Sequence, residues 1–165
     1  PNTSYGYLNL IVAWLTDSTQ WGNTPPTDKK NPFTVGYALS PNSEYVMYCW
    51  HSVEGYSKIA TYKGNGNADG PFVYTGFRPA IVINKRIDGN GSYLIHDNSR
   101  NTFNVTDKII TANDSGAEFS GSNDKIDMLS NGFKMRSSNA GINGNGNDYI
   151  YMAWAKNPFQ YATAR

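Results

Sequence analysis

A chain of 165 residues is sized for one domain or two small ones. Only 16% of its residues are charged and its net charge is +1, which leaves no strong field to attract nucleic acid or an anionic membrane. Gly (16), Asn (20) and Tyr (12) are abundant, a composition that excludes coiled coils, helical bundles and ordinary disorder and favours short strands joined by tight turns.

Residues 5–15, YGYLNLIVAWL, alternate at first and then become continuously apolar, which predicts a strand that starts at an edge and ends inside. No apolar run approaches the ~18 residues of a membrane span. Residues 16–32, with Asp17, Gly22, Pro25, Pro26 and Pro32, read as a loop carrying Trp21. Alternation returns in FTVGYAL (33–39), and after the turn Ser40–Ser43 the run EYVMYCWHSV (44–53) reads as a strong strand. Gly55 allows a bend into YSKIATYK (56–63), and the loop GNGNADGP (64–71) leads to FVYTGF (72–77). RPAIVINKRI (78–87) reads as a central strand with Pro79 near its start, where a missing N–H is tolerable. Asp88-Gly89-Asn90-Gly91 signals a hairpin into SYLIHD (92–97). Residues 98–124 are polar, with weak strand content near 105–112. IDML (126–129), Ser130-Asn131-Gly132 and FKMR (133–136) form a second hairpin, and after the glycine loop 137–147 comes DYIYMAWA (148–155). About ten strands with regular turn signals and little or no helix predict an all-β antiparallel sandwich of jelly-roll or lectin-like type.

The segment from Glu44 to Trp50, EYVMYCW, is echoed 104 positions later by DYIYMAW from Asp148 to Trp154. The echo divides the chain into residues 1–58, the closing part of a preceding module, and residues 59–165, a complete sandwich module. The chain begins at Pro1 without a basic start or an apolar leader, and reads as a processed product or a segment of something longer. An incomplete sandwich exposes strand edges, so we expect homo-oligomer or filament neighbours, with residues 5–15 and 44–53 as the contact.

No pattern points to catalysis. The glutamates are Glu44, Glu54 and Glu118, and none lies in the alternating acidic strand that a sandwich glycosidase would use. His96 stands beside Asp97, but no nucleophile elbow accompanies them, and His96 reads as a strand-face histidine. Cys49 is the single cysteine; lying between Tyr48 and Trp50, it reads as a buried thiol, and His51 two residues on would share its strand face. Cys49, His51 and His96 lack zinc spacing. Asn65, Asn67 and Asp69 place side-chain oxygens at alternate positions, as a calcium loop does, yet the twelfth position is Gly76 where a bidentate Glu is needed. That segment and Asn143–Asp148 read as plain loops, the first as a hairpin loop, and we expect no metal and no cofactor. Sugar recognition uses an aromatic face to stack and amides or carboxylates to fix hydroxyls. The residues that offer this chemistry are Trp21, Tyr62, Asn65, Asp69 and Tyr74. Asn2, Asn90, Asn104 and Asn113 begin Asn-x-Ser/Thr sequons, which would carry glycans if the chain is secreted by a eukaryote.

YCWHSVEGYSK (48–58), YKGNGNADGPFVYTGFRPAIVINKR (62–86), LSNGFKMRSSN (129–139) and YIYMAWAKNPFQYATAR (149–165) together resemble an uncharacterised β-rich repeat domain. That domain occurs in tail-fibre and other structural proteins of marine bacteriophages, often beside lectin-like modules. The resemblance covers about residues 44–165, and GPFVYTGFRP (70–79) is its most specific part. It implies a β-sandwich and a virion-surface or extracellular location, and it carries no known catalytic residues. The expected function is that of a non-enzymatic structural or adhesion protein, a tail-fibre or appendage component. The alternatives are a carbohydrate-binding module for host or matrix glycans and a secreted, glycosylated fibril subunit.

Overall fold

The run DYIYMAWA alternates inward and outward side chains, and in a computed structural model of the chain it forms a strand of eight residues, as does the segment from Pro79. The structure describes residues 4–17, 44, 46, 48–120 and 123–158. Among these it places eleven strands and no helix. In chain order they are β1 (Ser4–Tyr5), β2 (Leu15–Thr16), β3 (Ser57–Lys63), β4 (Phe72–Tyr74), β5 (Pro79–Arg86) and β6 (Leu94–Asp97). They continue as β7 (Lys108–Thr111), β8 (Phe119–Ser120), β9 (Ile126–Leu129), β10 (Gly132–Met135) and β11 (Asp148–Ala155). All pairings are antiparallel. A six-stranded sheet runs β3-β11-β5-β6-β7-β8, a three-stranded sheet runs β4-β10-β9, and β1 pairs only with β2. The chain is an all-β antiparallel sandwich.

Period-two alternation assigns the faces. From the large sheet Tyr151, Ala153, Val82, Leu94 and Ile109 point inward, and from the small sheet Val73, Phe133, Met135, Ile126 and Met128 meet them. Asn84 and His96, both buried, interrupt this apolar face. The β9–β10 hairpin turns through Ser130 and Asn131, with Leu129 opposite Gly132. A side chain at Gly132 would meet the Phe72 ring at 2.8 Å and the Val73 carbonyl oxygen closer still. Gly132→Ala should therefore cost about 2 kcal/mol through overpacking, measured by urea denaturation.

Three expectations from sequence are corrected. Residues 5–15 are not one strand, because the chain turns at Leu8–Asn9 and folds back so that Tyr5 faces Leu15. The backbone between them is taken up by the β5–β6 connection, where Trp14 N donates to Ile87 O at 2.9 Å and Gly91 N to Ile11 O at 2.8 Å. Residues 48–52 join no ladder, and Val53 makes only an isolated bridge to Ser57. A strand needs a partner edge, and the edge of β3 is met instead by a side chain. The Ser52 hydroxyl donates to Ile59 O at 3.3 Å and accepts from Ile59 N at 3.0 Å. Consequently Cys49 is exposed rather than buried. The strand expected at 33–39 lies outside the described residues.

The third correction concerns the Asn/Gly loops. Residues 64–71 are not a hairpin loop, since β3 belongs to the large sheet and β4 to the small one. Residues 136–147 likewise cross between the sheets, from β10 to β11. Because β3 pairs with β11 and β4 with β10, the two crossovers lie side by side.

Candidate functional site

The crossover pair collects three of the residues that sequence chemistry singles out for sugar binding, and it uses two of them structurally. Asn143 is fully buried between the loops. Its amide nitrogen donates to Asn65 Oδ1 (2.9 Å), Asn67 O (2.8 Å) and Ser137 O (2.7 Å), and its Oδ1 accepts from Asn65 N (2.9 Å). Asn65 Oδ1 also accepts from Asn67 N at 3.0 Å, and Asn67 Oδ1 accepts from Asp69 N at 2.9 Å. These are successive Asx turns, so the alternate oxygens that mimic a calcium loop serve the backbone instead. Among the described residues no group of three His, Cys, Asp or Glu is placed to hold a metal ion.

Tyr62 belongs to the same clasp. Its ring stacks on Tyr149 at 4.9 Å and meets Phe133 edge-on at 6.4 Å, and its hydroxyl donates to Ile142 O at 2.8 Å. Burial pushes its phenol well above the ordinary value. One face of the ring is taken by Tyr149 and its hydroxyl by Ile142 O, so the half-buried side chain already has a structural role. Tyr62→Phe keeps the stacking and loses one hydrogen bond, so thermal unfolding should show a loss of about 1 kcal/mol. Asp69 is exposed and bridges Lys134 Nζ (2.8 Å) and Arg136 Nη1 (3.0 Å). The Lys134 hydrogen bond and charge hold its carboxyl below the usual value, with Arg136 adding to the effect.

Tyr74 alone among the described sugar-binding candidates presents an open aromatic surface, at 58% exposure. It stands at the rim of a cleft of about 370 Å³. The cleft lies where the start of β3 meets the end of β4, and Ser52, Glu54, Ser57, Lys58 and Thr75 complete the wall. One side is the turn through Gly55, closed by Ser57 N donating to Val53 O at 2.9 Å. The other side hangs on the β9–β10 turn, because Asn131 O accepts from Thr75 N at 3.0 Å and from Gly76 N at 3.1 Å. Gly76 has φ +89°, a conformation that favours glycine. The wall hydroxyls are held by backbone: Ser57 Oγ donates to His51 O at 2.8 Å and Thr75 Oγ1 to Phe77 O at 2.6 Å. The Lys58 ammonium lies 5.5 Å from the Tyr74 ring centre. Among the described residues neither Glu54 nor Lys58 has an ion-pair partner.

Comparison with known families finds one match, to the family described as Domain of unknown function (DUF7483), over residues 2–158. The chain belongs to this family. No curated protein and no solved structure matches it. The family's span takes in the crossover clasp, the Tyr74 cleft and the N-terminal segment that meets β5 and β6.

The remaining sequence candidates are dispersed over this family domain. Trp21 and Asn2 lie outside the described residues. Asn90 is exposed at the β5–β6 turn. Asn104 uses both amide atoms on Met128, donating to its carbonyl at 3.1 Å and accepting from its N–H at 2.9 Å. Asn113 is half-buried and accepts from Tyr93 N at 2.8 Å. His96 and Asp97 point to opposite faces, as neighbours on a strand must. His96 is buried against the Asp124 carbonyl, while Asp97 pairs outside with Arg100. Sequence reasoning missed Glu54 and Lys58, since neither lies near Tyr74 in the chain. It also missed Lys85, which is fully buried, donates to Gly91 O at 2.7 Å and Ile11 O at 3.2 Å, and lies over the Tyr93 ring. Burial lowers its pKa. That lysine ties the N-terminal segment to the hairpin.

Proposed function

We propose that this domain is a non-enzymatic structural or adhesion module of a bacteriophage tail fibre or other virion appendage, located at a virion surface or extracellularly and assembling with copies of itself. The supporting observation is the outward face of the six-stranded sheet. Residues directly opposite one another in a ladder share a face. Ile59, Met152, Ile83, Ile95 and Ile110 are opposite in turn on β3, β11, β5, β6 and β7. They form one aliphatic row across five strands, and all five are only half-buried. Trp154 and Ile81 pair beside the row, and Trp50 meets Trp154 edge-on at 6.5 Å. The outer face of an antiparallel sheet turned to water is normally polar. A face this apolar suits burial against another β-rich module.

Sedimentation velocity over a concentration series tests the reading. We expect species larger than the monomer, and a shift toward monomer in Ile81→Lys. Ile81 is 38% exposed, so the lysine is tolerated by the fold and acts on the contact. A wild-type chain that stays monomeric at high concentration, with Ile81→Lys unchanged from it, would sink the proposal. Carbohydrate recognition is the second reading, and the Tyr74 cleft favours it. The third, a secreted fibril subunit, finds support only in the exposed Asn90, and intact-mass measurement of native material decides it.

A further inference from the structure

We infer that the cleft beside Tyr74 is a binding site for a carboxylate-bearing pyranose, a sugar acid of the uronate type. The inference does not depend on self-assembly. Its volume of about 370 Å³ sits at the small end of ligand pockets, which run from roughly 300 to 1,000 Å³. That range suits one or two sugar rings rather than a long peptide. The chemistry of the wall is divided. Lys58 is its cation, near the Tyr74 ring and without an ion-pair partner among the described residues. Glu54 supplies an exposed carboxylate on the turn, with no ion-pair partner among the described residues.

Ser57 and Thr75 are buried, and their hydroxyls turn back to the backbone, Ser57 Oγ onto His51 O and Thr75 Oγ1 onto both the carbonyl and the N–H of Phe77, so they shape the wall and leave its polar recognition to Glu54 and Lys58. Glu54 accepts, and a carboxylate recognises hydroxyl donors. Lys58 donates, and a lone ammonium recognises a carboxylate. Tyr74 gives an apolar surface for the C–H face of a ring. A molecule with several hydroxyls, one carboxylate and an apolar ring face meets all three demands at once. A neutral hexose leaves Lys58 unpaired, and a simple carboxylate leaves Glu54 and Tyr74 unused.

The wall is also preorganised. The Asn131 carbonyl accepts from Thr75 N and Gly76 N and so fixes that side, the Val53–Ser57 bridge fixes the opposite turn, and the Ser52 hydroxyl is held by both the N–H and the carbonyl of Ile59. Little ordering remains to be done on binding, which is the condition under which a small ligand gains affinity.

The test is a titration of isotope-labelled full chain by amide NMR, with glucuronate, glucose and acetate as separate probes. Glucuronate should shift amides at Ser52–Lys58 and Tyr74–Gly76 in a saturable way below about 10 mM, the range that detects millimolar dissociation constants. Glucose and acetate should each bind at least about tenfold more weakly, one charge-assisted hydrogen bond or one stacking contact being lost. Lys58→Met should erase the preference for glucuronate over glucose, and Tyr74→Ala should weaken both sugars. Both side chains reach solvent, and an unchanged melting temperature will show that each variant folds. The inference is overturned if no saturable shift occurs, if shifts map elsewhere, if acetate matches glucuronate, or if Lys58→Met keeps the preference.

Discussion

Replacing Asn143 with Ala will lower the stability of the fold by about 3–4 kcal/mol, the largest single-residue loss we expect outside the apolar core. The side chain is fully buried and serves four partners with one amide. Alanine would leave the Asn65 N–H and the carbonyls of Asn67 and Ser137 without it, in a place where water does not reach easily. The crossovers keep their backbone bonds, Gly64 N to Asn147 O, Gly66 N to Asn143 O and Gly146 N to Gly64 O at 2.9 Å each, but lose the buried side chain that satisfies the groups between them. Tyr149, whose hydroxyl donates to Ala140 O at 2.7 Å and accepts from Gly144 N at 2.8 Å, holds only the second crossover. Calorimetry should show a fall in melting temperature of roughly 10 °C for a domain of this size. Asn143→Asp is the sharper control. It keeps an acceptor for the Asn65 N–H but turns a carboxylate toward three oxygens, so at neutral pH it should be no better than alanine. A melting temperature within about 2 °C of wild type for both variants would show that the clasp is dispensable.

Much of the architecture was legible because it rests on local rules. The aromatic, apolar run DYIYMAWA read as a strand and is β11, the Asp88–Gly91 signal marked the β5–β6 hairpin, and Ser130-Asn131-Gly132 marked the β9–β10 hairpin. What failed was anything decided by a partner distant in sequence. EYVMYCW and DYIYMAW look alike, yet only the second lies between two strands, β3 and β5. In the first, Val46, Tyr48 and Trp50 are exposed. β-propensity states that a segment suits a pleated surface, and the presence of a neighbour decides whether it forms one.

The asparagines were legible as turn formers and illegible as substitutes for strands. Asn104 satisfies Met128 on the edge of β9 much as Ser52 satisfies Ile59 on the edge of β3. Asn101 holds the 101–108 loop by accepting from Asp107 N at 3.1 Å and Lys108 N at 2.7 Å. In each case a short polar side chain takes the place of a missing ladder, which blunts an edge without adding charge. A composition rich in Asn and poor in charge is therefore coupled to the topology. Of the candidate site, Tyr74 was legible in the sequence as an aromatic suited to sugar stacking, and the structure ends β4 on it. Glu54 and Lys58 reach it only because the β3 start and the β4 end close the same end of the sandwich.

His96 should make the fold acid-sensitive in a defined window. Its ring is fully buried on the inner face, with Nε2 at 2.7 Å from the Asp124 carbonyl oxygen. Burial lowers its pKa to about 4, although the Asp124 hydrogen bond opposes the shift. The same imidazole in an unfolded chain titrates near 6.5. Between those values the unfolded chain holds a proton there that the folded chain does not, so stability rises with pH across the interval. The contribution is complete above about pH 6.5 and declines as the pH falls, reaching a loss of about 3 kcal/mol near pH 4. The carboxyls with displaced values act at lower pH or in the opposite sense. Burial opposes the shift of Asp97, but hydrogen bonds from Arg100 and Ser99 prevail and hold it down, so its contribution fades only below the ordinary carboxylate range. Asp124 is raised by burial, which acts in the opposite sense and favours the fold as acid is added. His96→Gln removes the titration and keeps an amide that can donate to the Asp124 carbonyl. Urea denaturation at pH 7, 6, 5 and 4 should show wild type losing stability over this series. The Gln variant should lose much less over the same series: the lowered carboxyls of Asp69, Asp88, Asp97 and Asp114 begin to lose their contribution only near the ordinary carboxylate value, and Asp124 acts against them. Parallel losses in the two proteins would mean that the acid sensitivity lies elsewhere than in His96.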